Sequence, residues 1–244
     1  MSSLRFTSLL ILTLAALTPA GADVLYEWNF DDPSGTSLSE AASSGKIEAQ
    51  WNLDFDDSVT NGDGQLIVRR TPDGTANAFV TISPKAERAI GNEIWMQVEI
   101  DGWAFSGKSA SETMRLGIAH ITDEERPHVL AQLTLERTDS NQVSVSAESF
   151  GEGATPMSAL PIFGREQKEP VTFVLNINKE SDTFTLRYQI GEGPYLYLGK
   201  GTTSPEREMR FLRLGFTGYF NASTEQFAIN RIAYLSHDPM GAAE

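Results

Sequence analysis

The chain has no cysteine among its 244 residues. Disulfide staples, zinc–thiolate centres and a cysteine nucleophile are therefore excluded. Histidine is scarce, with 3 copies and no His-x-x-x-His pair, which removes the helix-borne zinc site of metalloproteases. A Gly-x-Ser-x-Gly elbow for Ser-His-Asp catalysis is missing too. Basic residues are in deficit: 19 Lys and Arg face 33 Asp and Glu, for a net charge of −14. Such a surface repels nucleic acid and anionic membranes, and it speaks against polyanionic substrates unless Arg and Lys gather locally. Plain solubility explains the same charge. Helical periodicity is nearly absent; only Ser37–Ser43 and Thr122–Arg126 have the composition for a turn or two.

The first 22 residues have the layout of a cleaved signal peptide. Arg5 is a short basic start, Phe6–Leu17 is apolar apart from Thr and Ser, Pro19 breaks the helix, and Ala20-Gly21-Ala22 offers small residues for cleavage. The expectation is an extracytoplasmic protein, periplasmic or secreted. No later apolar run is long enough to span a bilayer, so no membrane insertion is expected after cleavage. Residues 23–236 then form one domain, and 237–244 a short polar tail.

Within that domain, short β-branched and aromatic runs alternate with Gly, Pro, Asp, Asn and Ser. Thr172-Phe173-Val174-Leu175-Asn176-Ile177 and Thr183-Phe184-Thr185-Leu186-Arg187-Tyr188 trade apolar for polar at period two. Turns are written as Asn61-Gly62-Asp63-Gly64, Pro72-Asp73-Gly74 and Gly191-Glu192-Gly193-Pro194. Further runs predict strands over 24–30, 47–55, 65–70, 77–82, 93–105, 113–121, 128–136, 142–149, 195–198, 210–218 and 226–235. Residues 150–169 read as a long loop. The fold class is all-β: a jelly-roll β-sandwich of two large antiparallel sheets.

Three stretches carry a resemblance. Tyr26-Glu27-Trp28-Asn29-Phe30-Asp31-Asp32, with Ser34-Gly35-Thr36 and Ser43-Ser44-Gly45, resembles the first strand and loop of LamG-like domains, of the concanavalin A-like lectin/glucanase superfamily, in exported bacterial proteins. The hairpin 171–190 is similar to that family's central hairpin, and Leu212–Phe216 through Phe227–Ile232 to its closing strands. Asn230 stands where the family often has an acid, which weakens a metal role there. The resemblance implies a jelly roll; lectins, binding modules, hydrolases and lyases share that superfamily.

The segment Glu93–Phe105 is the richest in chemistry. As a regular strand it puts Ile94, Met96, Val98 and Ile100 on a core face and Trp95, Gln97, Glu99, Asp101 and Trp103 on the other. Indoles that stack on sugar C–H faces, beside carboxylates and an amide that accept from hydroxyls, suit a glycan groove. The competing reading is a second buried face with its carboxylates bonded to loop amides. Glu99-Ile100-Asp101 also resembles the start of the E-x-D-x-(x)-E motif of laminarinase-type hydrolases, but Trp103 or Ala104 occupies the acid/base position. Retaining hydrolysis needs two carboxyls about 5 Å apart, so a second one would have to come from Glu112 or Glu148. Lyases of related jelly rolls use His, Tyr and Arg; His120, His128, Tyr188, Tyr219 and Arg115 are the pieces present, and His120 falls on the same strand face as Ile118. No metal site is written locally, although Asn61–Gly64 with Asp54, Asp56 and Asp57 has oxygen ligands suited to a structural Ca²⁺. Asn221-Ala222-Ser223 is a glycosylation sequon.

The leading expectation is an exported, non-catalytic carbohydrate-binding or adhesive module without a cofactor. Its partner would be a glycan held by Trp95, Gln97, Glu99, Asp101 and Trp103. The alternatives are a polysaccharide lyase or glycoside hydrolase working through Glu99, Asp101 or His120, and a structural envelope protein.

Overall fold

A computed structural model describes residues 23–52, 58–68, 75–105, 112–121, 127–138, 142–217 and 227–240. The predicted signal peptide, the second candidate helix, Asp54, Asp56, Asp57, Tyr219, the sequon and residues 241–244 lie outside the described residues.

The strands are β1 (Val24–Trp28), β2 (Ser58–Thr60), β3 (Leu66–Val68), β4 (Thr75–Thr81), β5 (Glu93–Ala104), β6 (Thr113–Ile121), β7 (Pro127–Arg137) and β8 (Gln142–Glu148). They continue as β9 (Leu160–Gly164), β10 (Glu166–Gln167), β11 (Val171–Asn178), β12 (Thr183–Ile190), β13 (Leu196–Thr202), β14 (Phe211–Thr217) and β15 (Phe227–Leu235), with one helix, α1 (Pro84–Ile90). Nine strands form one sheet in the order β13-β12-β11-β5-β15-β3-β2, with β1 also on β15 and β10 on β5. Six form the other, in the order β4-β14-β6-β7-β8-β9. The pairings are antiparallel, so the predicted two-sheet sandwich is what the chain builds.

The period-two patterns explain the layers. Val171, Phe173, Leu175 and Ile177 of β11 meet Leu212, Leu214 and Phe216 of β14 and Leu133 and Leu135 of β7 in one core between the sheets. Aromatic rings thicken it at two places. Trp28 lies 4.9 Å from Trp51 and edge-on to Tyr234 at 6.5 Å. Phe227 stacks on Trp103 at 5.9 Å and meets Phe105 and Phe216 edge-on.

Three expectations need correction. Residues 150–169 are not one loop, because β9 pairs with β8 and β10 with β5. β9 is an edge strand containing Pro161, with only Phe163 buried, so it lacks the alternation that marks an interior strand. Ile47–Asn52 forms no strand, and Ser37–Ser43 makes turns around the Ser37 carbonyl rather than a helix. The helix lies instead at α1, started by Ser83, whose hydroxyl accepts from Ala86 N, and by Pro84. With only Ala86 and Ile90 buried, α1 is too short to show helical periodicity.

Candidate functional site

The central strand of the nine-stranded sheet does not present its predicted residues as one row. Trp95, Gln97 and Glu99 do share the outer face, opposite core residues Met96, Val98 and Ile100. Beyond them the register breaks: Ile229 pairs with Ile100 and Ala228 with Gly102, leaving Asp101 without a partner. One extra residue reverses the phase of a strand. Trp103 is therefore turned into the core, 3 % exposed, its indole N–H donating to Gly164 O at 3.3 Å. The expectation of two outward indoles is corrected accordingly.

The remaining indole is covered. Trp95 packs with Val174, Ala233 and Leu235 beneath Tyr195 and Met240. The Arg187 guanidinium lies 5.8 Å from its ring centroid and pairs with Asp238 at 3.2 Å. Glu99 accepts from Arg231 at 3.0 Å and from Gln97 at 3.1 Å, and Arg231 also pairs with Glu27. Asp101 and the unpaired Asn230 of β15 are tied together by Gln65, whose amide donates to both. Asn230 thus closes a bulge.

Among the described residues the candidate hydrolase carboxylates lie apart, while His120 and His128 are cross-strand partners on β6 and β7. Glu148 lies on the outer face of the six-stranded sheet, across the sandwich from Glu99. Glu112 is fully buried and accepts from Arg137 Nε at 3.0 Å. Arg115 is on the outer face of β6, His120 follows the inward parity of Ile118, and Tyr188 packs against Phe163 and Phe173. No group of three or more His, Asp or Glu able to hold a metal occurs among the described residues. The Asn61 side chain instead accepts from the backbone of Asp63 and Gln65, a turn in which Gly62 and Gly64 supply φ of 84° and 79°. Gly102–Ser109 has the letter spacing of a phosphate-binding loop, but Gly102–Ala104 lie inside β5, where such a loop needs its first glycine past the strand.

The polar face that sequence reasoning missed belongs to the six-stranded sheet. With Ala78, Val80, Leu212, Leu214, Leu116, Leu133 and Val145 turned inward, the outward positions carry Asn77, Phe79, Phe211, Arg213, Arg115, Gln132, Thr134 and Glu148. Arg213 donates through Nε and Nη2 to Asn77 Oδ1 at 3.0 and 2.8 Å, and through Nη1 to Gln132 Oε1. Gln132 Nε2 and Thr134 Oγ1 donate to Glu148 Oε2 at 2.5 and 2.8 Å. Arg213 reaches β7 across β6 because its register partner there is Gly117. A Cβ on Gly117 would lie 2.3 Å from Ala131 O and 2.5 Å from Gln132 Cα. Gly117→Ala is therefore expected to cost about 1–3 kcal/mol in urea unfolding. Phe79 and Phe211 flank Arg213 on the same face as an edge-to-face pair with centroids 6.4 Å apart, both half-buried. Burial pushes the Arg213 pKa down to about 10, neighbouring Arg115 adds to the fall, and Glu148 opposes it.

The sequence matches no family model and no curated protein. Solved structures do match. The metal-free carbohydrate recognition domain of Emp46p is 13 % identical, with 86 % of this chain and 99 % of that one covered at a TM-score of 0.51. The CBM2 module of the evolved Dit of Lactobacillus casei BL23 phage J-1 is 11 % identical, with 89 % and 98 % covered at 0.54. The fold is a concanavalin A-like jelly roll. The botulinum neurotoxin DC binding domain, in its complex with rat synaptotagmin II, also resembles it, at 8 % identity and a TM-score of 0.50, over 86 % of this chain and 50 % of that one. At these identities the likeness concerns the jelly roll itself.

Proposed function

We propose that the chain is an exported, non-catalytic carbohydrate-binding module, and that the glycan lies on the outer face of the six-stranded sheet. One observation carries the reading: a hydrogen-bonded line runs from Asn77 through Arg213 and Gln132 to Glu148, with the Phe79–Phe211 pair at its side. Arg213 and Gln132 are themselves buried, at 6 % and 2 % exposure, and hold the half-buried Glu148, whose carboxylate accepts from hydroxyls while the half-buried ring faces take the apolar C–H side of a pyranose. The absence of catalysis is supported by the separation of Glu99 from Glu148 and by the burial of Glu112 against Arg137, since a retaining pair must face one glycosidic bond.

Affinity electrophoresis of the purified chain in gels containing a panel of polysaccharides tests this. The wild type is expected to be retarded by at least one of them. Phe211→Ala is expected to weaken that retardation about tenfold, close to 1.4 kcal/mol. Trp95→Ala is expected to leave it unchanged, because the indole is beneath Tyr195 and Met240. Equal retardation of wild type and Phe211→Ala, with loss in Trp95→Ala, would return the site to the nine-stranded sheet.

A further inference from the structure

We propose that the ligand of the six-stranded face bears a carboxylate, as an acidic sugar does, and that Arg213 and Arg115 receive it while Glu148 takes neighbouring hydroxyls. This deepens the glycan reading above and rests on it. Two arginines are buried among the described residues, and they are provided for differently. Arg137, 7 % exposed, has the carboxylate of Glu112 at 3.0 Å. Arg213, 6 % exposed, has, among the described residues, the amide oxygens of Asn77 and Gln132. Its diagonal neighbour Arg115 spends Nη1 on the hydroxyls of Thr113 and Thr217, leaving Nε and Nη2 without a partner among the described residues. No described carboxylate stands at ion-pair distance from either guanidinium, on a chain with 33 acids and 19 Lys and Arg.

A buried guanidinium held by neutral acceptors beside a second cation is a liability that an incoming anion removes. Burial first, and the neighbouring Arg115 second, hold the Arg213 pKa below its ordinary value. The geometry also sets the anion's type. The Nε–Nη2 edge of Arg115 is the planar fork that matches a carboxylate in two parallel bonds, since Arg213 spends the same edge on Asn77 Oδ1. Glu148 and, two positions beyond Thr134 on β7, Glu136 share this outward face, but neither stands at ion-pair distance from Arg213 or Arg115. Glu148 Oε2 is occupied by Gln132 and Thr134 while Oε1 has no partner among the described residues, so Oε1 is the acceptor for sugar hydroxyls.

The test is titration calorimetry of the full chain at low salt with oligogalacturonate and with sialyllactose, each beside its carboxyl-reduced counterpart. The two acids distinguish a uronate within a chain from a terminal acidic sugar. At least one acid is expected to bind about tenfold or more tightly than its reduced form, with the preference falling as salt rises. Arg213→Gln is expected to collapse that ratio to within about threefold. Arg115→Gln, at a half-buried position, is expected to do the same and carries the test if Arg213→Gln does not fold. Reduced forms that bind as well as the acids, or a ratio unchanged in both variants, would overturn the inference while leaving a glycan face in place. Failure of both acids, their reduced forms and the polysaccharide panel to bind would overturn the glycan reading itself.

Discussion

Trp103→Ala is expected to lower the folding free energy by about 3–5 kcal/mol and to leave the folded fraction's glycan retention intact. The indole sits 3 % exposed, stacked on Phe227 at 5.9 Å and edge-on to Phe163 at 5.3 Å. Truncation removes that buried area, leaves a cavity beside the two phenyl rings, and loses the hydrogen bond from Trp103 Nε1 to Gly164 O. For a domain of this size the loss corresponds to a fall in melting temperature of roughly 10 °C. Urea unfolding followed by fluorescence measures it. A loss below about 1 kcal/mol together with lost retention would put Trp103 back on a binding surface.

Glu112→Ala is expected to cost about as much, roughly 3–5 kcal/mol, because it takes away the carboxylate that the buried Arg137 guanidinium meets. Both side chains are nearly inaccessible, at 0 % for Glu112 and 8 % for Arg137, and meet at 3.0 Å. The penalty comes from the charge left behind. The double variant Glu112→Ala with Arg137→Met is therefore expected to recover most of the lost stability, since an apolar pair of similar bulk avoids desolvating either ion. Denaturant midpoints of the single and double variants decide it. Equal losses in both would mean that packing around Glu112, rather than the Arg137 charge, sets the cost.

The sandwich was legible because its strands are half-buried and alternate strictly, as β11 and β12 do. Legibility ended where the phase changed. The single unpaired residue at Asp101 moves Trp103 to the opposite face, and the only local sign of it is Gly102, since an isolated glycine within a strand often marks a bulge. β9 was hidden because an edge strand with Pro161 buries one residue and needs no alternation. The polar face could not be read at all from local pattern. Arg213 bonds to Asn77 across 136 positions and to Gln132 across 81, and each of these residues alone reads as an ordinary polar position in a strand. Only the strand order β4-β14-β6-β7-β8 brings them into one line. The cover over Trp95 was illegible for a different reason: tail residues Asp238 and Met240 and the β13-proximal Tyr195 lie on it, and nothing near Trp95 in sequence announces them.

The most direct test of the binding face is amide chemical-shift mapping of the full chain, titrated with the oligosaccharide that corresponds to the best-retarding polysaccharide of the gel panel. Shifts concentrated on β14, β6, β7 and β8, around Arg213, Gly117, Gln132 and Glu148, are the predicted result. Shifts concentrated on β5 and β15, around Trp95, Glu99 and Arg231, would contradict it.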